Sequence, residues 1–334
     1  MKKVGLTLGK FAPLHKGHEH LLKTMLDEMD EGIVLVYDTH VTHVPLHIRA
    51  GWIRKLFPEI TVIEARGSPA VCPDIHEYER REERYITALL RGRDITAFYS
   101  SEYYGEHMSK ALGCIDRRMD RRRDSYRISG TMIRDDPFRY REYISDTVYP
   151  DLIIKVVFLG SVSTGKSTIA EALAKKYGTT YVSEYGREYW EFHQQDRRLS
   201  IEAFDEIALG HIEREEEAFL SANRYCFIDT NAITTYMFAL DYHGRAPELL
   251  TRLALENTSR YDLFFLCGDD IPYDDTWDRS GDQKRRVFQK QTISDLNARR
   301  IPYIILEGDL ETRIKRVDEV LNEYQPYSNI IGGL

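Results

Sequence analysis

The chain has 334 residues, enough for about two domains. Hydrophobic residues make up 42% and charged residues 30%, which is typical of folded globular proteins and excludes a disordered chain. The net charge of −8 argues against a dedicated nucleic-acid-binding protein, since such proteins usually carry a basic surplus. No apolar run approaches the roughly 20 residues that span a bilayer, and the four cysteines include no Cys-x-x-Cys pair. We therefore predict a cytoplasmic protein without a membrane partner or a structural zinc site.

In the first half of the chain, short apolar runs alternate with amphipathic stretches, which is typical of parallel-sheet α/β units. The apolar runs predict strands over 3–8, 32–38, 60–65 and 95–101. The amphipathic stretches predict helices over 17–29, 47–56 and 76–91. The only tryptophan in this half, Trp52, is expected to pack its own helix.

The second half follows the same plan without repeating the sequence. Strands are predicted over 153–160, 179–183, 225–229, 261–267 and 302–306, and helices over 166–177, 200–221, 246–257 and 311–323. The boundary falls near 146–152, because Pro150 disfavours helix in the residue before it and a new apolar strand follows. We predict two domains, 1–146 and 153–330, each built on a parallel sheet.

The first strand ends in a motif rich in glycine and histidine, Gly9-Lys10-Phe11-Ala12-Pro13-Leu14-His15-Lys16-Gly17-His18. Gly17 allows close backbone approach to a ligand, and the start of a helix favours an anion. Two imidazoles and Lys10 would then surround a polyphosphate. A surface turn and a metal pair are the alternatives for two histidines this close.

A second motif lies far along the same half, Ile128-Ser129-Gly130-Thr131-Met132-Ile133-Arg134. Ser and Thr cap free amides at a helix start, and Arg binds phosphate through a planar fork. A plain helix cap is the alternative. The basic run 117–123 before it has no interleaved aromatic residues, so a solvated face is favoured over nucleic-acid binding.

Together the two motifs resemble those of the nucleotidylyltransferase superfamily, whose members transfer a nucleotide from a nucleoside triphosphate and release pyrophosphate. The resemblance implies that His15 and His18 bind the triphosphate and stabilise the transition state. It places Ser129, Thr131 and Arg134 on the β- and γ-phosphates. The predicted ATP-binding residues of this half are Gly9, Lys10, Phe11, His15, His18, Ser129, Thr131 and Arg134, with His15, His18 and Arg134 catalytic.

The second half opens on a phosphate-binding loop that matches G-x-x-x-x-G-K-[ST] between an apolar strand and an amphipathic helix. Backbone amides of such a loop cradle phosphates, Lys166 reaches the β- and γ-oxygens, and Ser167 binds magnesium. The predicted ATP-binding residues here are Gly160, Ser163, Thr164, Gly165, Lys166, Ser167 and Thr168.

Two carboxylates follow strands of this half. Asp229 ends the apolar strand 225–229, the expected position of a second magnesium ligand. Glu184 follows strand 179–183, where it could accept the proton of an acceptor hydroxyl or hold sugar hydroxyls. With Tyr185 and Arg187 it forms the predicted substrate site. A surface salt bridge between Glu184 and Arg187 is the alternative.

The polar run 277–286 is predicted to be a lid that closes Arg279 and Arg285 over the transferring phosphoryl group. A mobile solvated loop is the alternative for either arginine.

Over nearly its whole length the chain resembles the NadR-like family of nicotinamide riboside salvage enzymes. Besides both phosphate motifs, the resemblance covers runs at 137–144, 184–189, 207–211 and 227–230. It implies a Rossmann-like nucleotidylyltransferase domain followed by a P-loop kinase domain. The second half would phosphorylate nicotinamide riboside to nicotinamide mononucleotide (NMN), and the first half would convert NMN to NAD, with ATP as co-substrate and Mg²⁺ as cofactor.

Several points stay open at this stage. The chain begins directly on a strand, so the helix-turn-helix repressor domain of some family members, and with it a nucleic-acid partner, is expected to be absent. A homo-oligomer is possible, and the aromatic residue that stacks on nicotinamide is undecided, because loop 66–78 offers only Tyr78. The alternatives are another nucleotidylyltransferase fused to a different small-molecule kinase, or a nucleotide sensor without turnover.

Overall fold

The computed structural model describes residues 2–69, 73–101, 105–119, 126–196, 198–273 and 282–327. The chain divides into two compact units between Leu152 and Ile153, and Tyr327 groups with the first unit. Within the described ranges, no helix is long and apolar enough to cross a membrane.

The first unit contains a five-stranded parallel sheet in the order β3-β2-β1-β4-β5. Its strands are β1 (Val4–Gly9), β2 (Glu31–Tyr37), β3 (Thr61–Ala65), β4 (Ala97–Ser100) and β5 (Ile115–Arg118). Its helices are α1 (Lys16–Glu28), α2 (Leu46–Leu56), α3 (Ile75–Leu90), α4 (Gly105–Leu112) and α5 (Gly130–Asp135). The chain leaves β1 towards one sheet edge and later returns to its other side. This reversal opens a crevice at the carboxyl end of β1, where ligands bind in such sheets.

The second unit contains another five-stranded parallel sheet, in the order β10-β9-β6-β8-β7. Its strands are β6 (Ile154–Leu159), β7 (Tyr181–Val182), β8 (Tyr225–Asp229), β9 (Leu263–Cys267) and β10 (Ile304–Leu306). Its helices are α6 (Lys166–Tyr177), α7 (Tyr185–His193), α8 (Ala203–Ser221), α9 (Ala232–His243), α10 (Glu248–Glu256), α11 (Asp282–Ala298) and α12 (Leu310–Glu323). The central strand β6 is almost wholly buried, as expected for a strand covered by helices on both faces.

Every predicted strand and helix is present, with ends that differ by a few residues at most, so the two-sheet α/β fold class is confirmed. Trp52 is buried as predicted, and its indole N–H also donates to Asp151 at 2.7 Å. The sequence missed α4, β5, α7, α9 and α11, and of α5 it indicated only the start, at Ser129. Helix α9 has no clear period because it is nearly continuous in apolar residues and buried on most sides.

The predicted polar loop over 277–286 is wrong for its last part, since α11 begins at Asp282. The buried positions of α11 recur every three or four residues, but they include Arg285, Gln289 and Thr292 beside Phe288 and Leu296. A helix with a polar buried face gives no apolar stripe, and hydropathy therefore suggests a solvated segment.

Candidate active sites

A cavity of about 950 Å³ lies at the carboxyl end of β1 in the first unit. Its lining includes all eight residues predicted to bind ATP in this half: Gly9, Lys10, Phe11, His15, His18, Ser129, Thr131 and Arg134. The fold thus brings the two sequence motifs of the first half to one place.

The two histidines of the first motif stack on each other. The rings of His15 and His18 are 3.8 Å apart and inclined by 26°, and Phe11 meets His18 edge-on at 4.9 Å. His15 is buried and occupies the residue before the first turn of α1. Packing therefore fixes both imidazoles at the start of a helix, where the helix dipole adds positive potential.

Arg134 joins the second motif to the first. Its guanidinium donates to the carbonyl of Ala12 at 2.5 Å and to the hydroxyl of Thr131 at 3.0 Å. The hydroxyl of Ser129 caps α5 by accepting from the amide of Met132 at 3.3 Å. The helix-cap interpretation is therefore correct for the local role of Ser129, and the same cap sets Arg134 against the loop that follows β1.

Arg49, on α2, also contacts the loop that follows β1, and the sequence analysis missed this residue. The side chain is 1% exposed. It donates to the carbonyls of Val44 at 3.0 Å, Tyr37 at 2.9 Å and Lys10. A single arginine on an amphipathic helix normally indicates a solvated face, so nothing in the sequence marks this one as buried.

The cavity also has a polar wall formed by α3 and α4. The buried carboxylate of Glu82 accepts from the hydroxyl of Tyr37 at 2.8 Å and lies 3.3 Å from the imidazole of His107. Tyr78 lines the cavity as well, which keeps it available as the aromatic partner of a substrate ring. In the basic run, Arg117 is exposed and pairs with Glu28 at 2.8 Å, whereas the Arg118 side chain is only 12% exposed and pairs with Asp116 at 2.6 Å. Residues 120–123 of that run lie outside the described ranges.

In the second unit, the predicted phosphate loop follows β6. Gly160 has φ +139°, and a Cβ there would lie 2.8 Å from the carbonyl of Cys267, so only glycine fits. Lys166 is buried, and its ammonium donates to the carbonyl of Ser161 at 2.9 Å. The hydroxyl of Thr164 donates to the same carbonyl at 2.8 Å. Of the other predicted residues, Ser163 and Gly165 lie in the loop, and Ser167 and Thr168 in the first turn of α6.

Two buried polar side chains from late helices brace this loop. The side-chain amide of Gln289, on α11, accepts from the backbone amide of Ser161 at 2.8 Å and donates to the backbone carbonyl of Cys267 at 2.9 Å. Arg313 of α12 donates to the carbonyl of Thr164 at 2.6 Å. Neither residue belongs to the motif, so motif matching alone cannot find them.

Asp229 lies beside the loop because β8 pairs with β6 in a register that sets Asp229 opposite Phe158. The carboxylate is 1% exposed, and neither oxygen has a well-aligned hydrogen-bond partner among the described residues. Burial raises the pKa of Asp229, and the negative charge of Glu184 raises it further. Lys166 and Ser167 act in the opposite direction. A buried carboxylate beside a hydroxyl is a donor set that suits a hard cation.

Glu184 occupies the position before the first turn of α7. One of its oxygens lies 3.4 Å from the guanidinium of Arg187, so the alternative ion pair is present. The negative charge of Glu184 nevertheless acts on Asp229, so the two carboxylates lie near each other. The guanidinium carbon of Arg214 lies 4.1 Å from the centre of the Tyr185 ring. The same ring packs so closely on Gly210 that a Cβ at position 210 would lie only 2.3 Å from it.

Of the two predicted lid arginines, only Arg285 lies among the described residues, and it is on a helix, not on a polar loop. Arg285 lies on α11, is 1% exposed and donates to the carbonyl of Ile271 at 2.9 Å. Arg279 lies outside the described residues. A phosphate-binding role for either arginine therefore stays a prediction.

Comparison with known protein families assigns a different family to each half. Residues 6–136 match the cytidylyltransferase-like family, and residues 155–313 match the AAA domain family. Each match contains the phosphate motif of its half.

Two curated relatives span almost the whole chain. The trifunctional NAD biosynthesis/regulator protein NadR of Salmonella typhimurium is 31% identical over 96% of this chain and 83% of that protein. The NadR protein of Escherichia coli is 30% identical over the same shares. A crystal structure of a NadR protein in complex with NAD and AMP-PNP has a TM-score of 0.58 at 22% identity, and covers 100% of this chain and 98% of that one. At that identity the structural likeness shows a shared fold.

Proposed function

The chain belongs to the NadR family, as its motifs predicted, and we propose that it makes NAD in two steps. The second unit phosphorylates nicotinamide riboside with ATP to give NMN. The first unit joins NMN to the adenylyl group of a second ATP and releases pyrophosphate. The observation that supports the proposal is that each unit brings together the side chains of its own predicted phosphate motifs.

In the first unit, transfer requires the phosphate of NMN to attack the α-phosphate of ATP. His15 and His18 face the cavity as a fixed pair, so they can donate hydrogen bonds to oxygens whose negative charge grows in the transition state. Arg134 and Thr131 would hold the β- and γ-phosphates that leave as pyrophosphate. Alignment and charge stabilisation suffice, and no covalent protein intermediate is needed.

In the second unit, the loop amides and Lys166 would bind the β- and γ-phosphates of ATP. Ser167 and Asp229 are the residues that would hold Mg²⁺, because they bring a hydroxyl and a buried carboxylate together beside the loop. When bound, the cation neutralises charge on the phosphates. Asp229 therefore acts in its ionised form, although burial favours the neutral one.

Glu184 would orient and deprotonate the acceptor hydroxyl of nicotinamide riboside. It stands at the start of α7, one sheet position beyond Asp229, since β7 is the neighbour of β8. Arg187 and Tyr185 flank it and would bind the rest of the riboside. Arg187 lies 3.4 Å from one oxygen of Glu184 and would help to orient the carboxylate towards the acceptor.

We further propose domain limits of 1–146 and 153–330 and a cytoplasmic location. The cytoplasm supplies ATP and keeps thiols reduced, which agrees with the free Cys114, Cys226 and Cys267.

The test is product analysis of the purified protein with nicotinamide riboside, NMN and nicotinic acid mononucleotide offered separately with ATP and Mg²⁺. We expect NMN and then NAD from the riboside, and NAD directly from NMN. A different small-molecule kinase would leave the riboside intact, and a nucleotide sensor would bind ATP without forming any product. Chelation of Mg²⁺ should stop the phosphorylation.

A further inference from the structure

Behind the turn that follows Asp229 lies a group of buried polar side chains that the proposed mechanism does not use. It consists of His211 and Glu215 on α8, Asn257 after α10, and Tyr261, which are 3%, 0%, 1% and 6% exposed. Buried polar groups are costly unless they bond to one another, so such a cluster needs a physical reason.

The turn itself is strained. Thr230, directly after Asp229, has φ +64°, a left-handed conformation that a β-branched residue rarely adopts. Its amide still donates to the carbonyl of Phe158 at 3.0 Å, which extends the β6–β8 ladder by one residue. Strained backbone of this kind persists only where the surroundings hold it in place.

The buried side chains hold the turn at both ends. The imidazole of His211 lies against the backbone of Thr230. Its Nε2 approaches Oε1 of Glu215 to 3.4 Å without the alignment of a hydrogen bond. At the other end, the amide of Ala232 donates to Oδ1 of Asn257 at 3.3 Å.

Tyr261 connects the two ends. Its hydroxyl lies 2.6 Å from Glu215 and 2.9 Å from Asn257. Contacts therefore lead from Thr230 through α8 and Tyr261 to Ala232, and the 3.4 Å approach of His211 to Glu215 is the loosest of them.

The charges in the network are matched. Arg260 donates to the second oxygen of Glu215 at 2.5 Å, which compensates a carboxylate whose pKa burial raises. Burial also lowers the pKa of His211 to about 4, so its imidazole is neutral near pH 7. The network therefore contacts the turn through a neutral imidazole and through Oδ1 of Asn257, and neither group places a positive charge next to Asp229.

We propose that His211, Glu215, Tyr261 and Asn257 are positioning residues that hold the Thr230 turn and thereby fix the Asp229 carboxylate beside Ser167. The inference rests on the proposed kinase function, in which Asp229 binds Mg²⁺. Outer partners of metal ligands typically change metal affinity or activity by about 10- to 100-fold when removed.

The test uses the full chain with Tyr261→Phe, which removes the connecting hydroxyl and keeps the ring that packs against Phe264. Two quantities are measured: the Mg²⁺ concentration for half-maximal riboside phosphorylation, and amide hydrogen exchange of residues 230–232 without any ligand. We expect the first to rise about tenfold, with the riboside KM unchanged, and the second to accelerate about tenfold.

Tyr177→Phe is the matched control, because it removes a phenol that donates to Asp318 at 2.7 Å at the far end of α6. It should change neither quantity. Asn257→Ala removes the other end of the network and should give the same two changes. Because both side chains act through one turn, the double variant should lose little more than either single variant. Asn257→Ala also carries the test if Tyr261→Phe does not fold.

Wild-type Mg²⁺ dependence together with wild-type exchange in folded Tyr261→Phe would overturn the proposal. So would slower turnover with unchanged Mg²⁺ dependence, since that indicates a general structural role. If the wild-type protein does not phosphorylate the riboside, the proposed function fails, and the exchange of residues 230–232 alone then decides whether the network holds the turn.

Discussion

The phosphate sites proposed for the two units are built in different ways. In the first unit the proposed binding groups are side chains from two motifs, at 9–18 and 128–134. Arg134 joins the motifs through the carbonyl of Ala12, 122 positions earlier in the chain. In the second unit the proposed binding groups are the backbone amides of one continuous loop and the ammonium of Lys166, the first residue of the helix that follows it. A site built from side chains depends on long-range packing, whereas a loop site is mostly encoded in one short stretch.

The two units nevertheless share one structural feature, a buried arginine that donates to loop carbonyls. In each, an almost wholly buried arginine from a helix outside the motif donates to carbonyls of the phosphate loop: Arg49 to Lys10 and Arg313 to Thr164. Irregular backbone leaves carbonyls without partners, and a guanidinium supplies several donors in a fixed plane. Loop rigidity in both sites therefore depends on residues that the motifs do not contain.

The largest expected effect distinguishes the proposed roles of Glu184 and Asp229 in the second unit. Glu184→Gln should reduce riboside phosphorylation by roughly 100- to 10,000-fold, the range for a positioned base, and leave ATP affinity near normal. Steady-state kinetics with each substrate varied in turn measures this. Glu191→Gln, an exposed acid on the same helix, is the control and should be silent. A large loss of ATP affinity in Glu184→Gln would mean that Glu184, and not Asp229, binds Mg²⁺.

In the first unit, His18→Ala should lower NMN adenylylation by on the order of 100-fold, because a donor to the transition state is lost. Riboside phosphorylation should not change, since His18 lines a cavity of the first unit only. His47→Ala, an exposed histidine outside the cavity lining, is the control. Trapping an adenylyl group on His18 would contradict the proposed role.

A smaller effect is expected from the two loop-bracing arginines. Arg49→Lys and Arg313→Lys keep the charge but cannot reach several carbonyls at once, so each should slow the reaction of its own unit about tenfold. Both reactions are assayed for both variants. If either variant slows the reaction of the other unit equally, the two loops are not braced independently.

The smallest effect concerns stability and pH. A carboxyl group with a raised pKa in the folded state lowers stability as pH rises above its ordinary pKa, because the unfolded chain then gives up its proton first. Asp229→Asn should therefore stabilise the ligand-free protein near pH 7, by on the order of 1 kcal/mol or about 2–4 °C in the second unit. The gain should vanish below pH 4. Thermal unfolding at several pH values measures this gain. If Asp229→Asn is less stable than the wild type at pH 7, the buried carboxylate does not lower the free energy of unfolding, and the prediction is wrong.

Local signals predicted much of this molecule. The apolar strands, the phosphate loop and the glycine–histidine motif are contiguous stretches whose chemistry can be recognised from neighbours in sequence. Two distant stretches, at 9–18 and 128–134, were also correctly assigned to one site, because the family resemblance supplied the link that spacing alone does not contain.

The residues that the sequence did not reveal share one property: they are polar and buried. Arg49, Gln289 and Arg313 have the residue types of a surface, and their partners are backbone carbonyls and amides that any residue could provide. Helix α11 was missed for the same reason. Such residues can be identified only once the fold has set their partners around them.

The central claim is that two complete phosphate sites act independently in one chain, and a mixing experiment tests it most directly. Lys166→Ala should make no NMN from riboside but still convert NMN to NAD, and His18→Ala should accumulate NMN. Mixed in equal amounts with riboside, ATP and Mg²⁺, the two variants should restore NAD synthesis, because NMN made by one can be used by the other. Failure of the mixture to make NAD, with both variants folded and each retaining its remaining activity, would contradict the account.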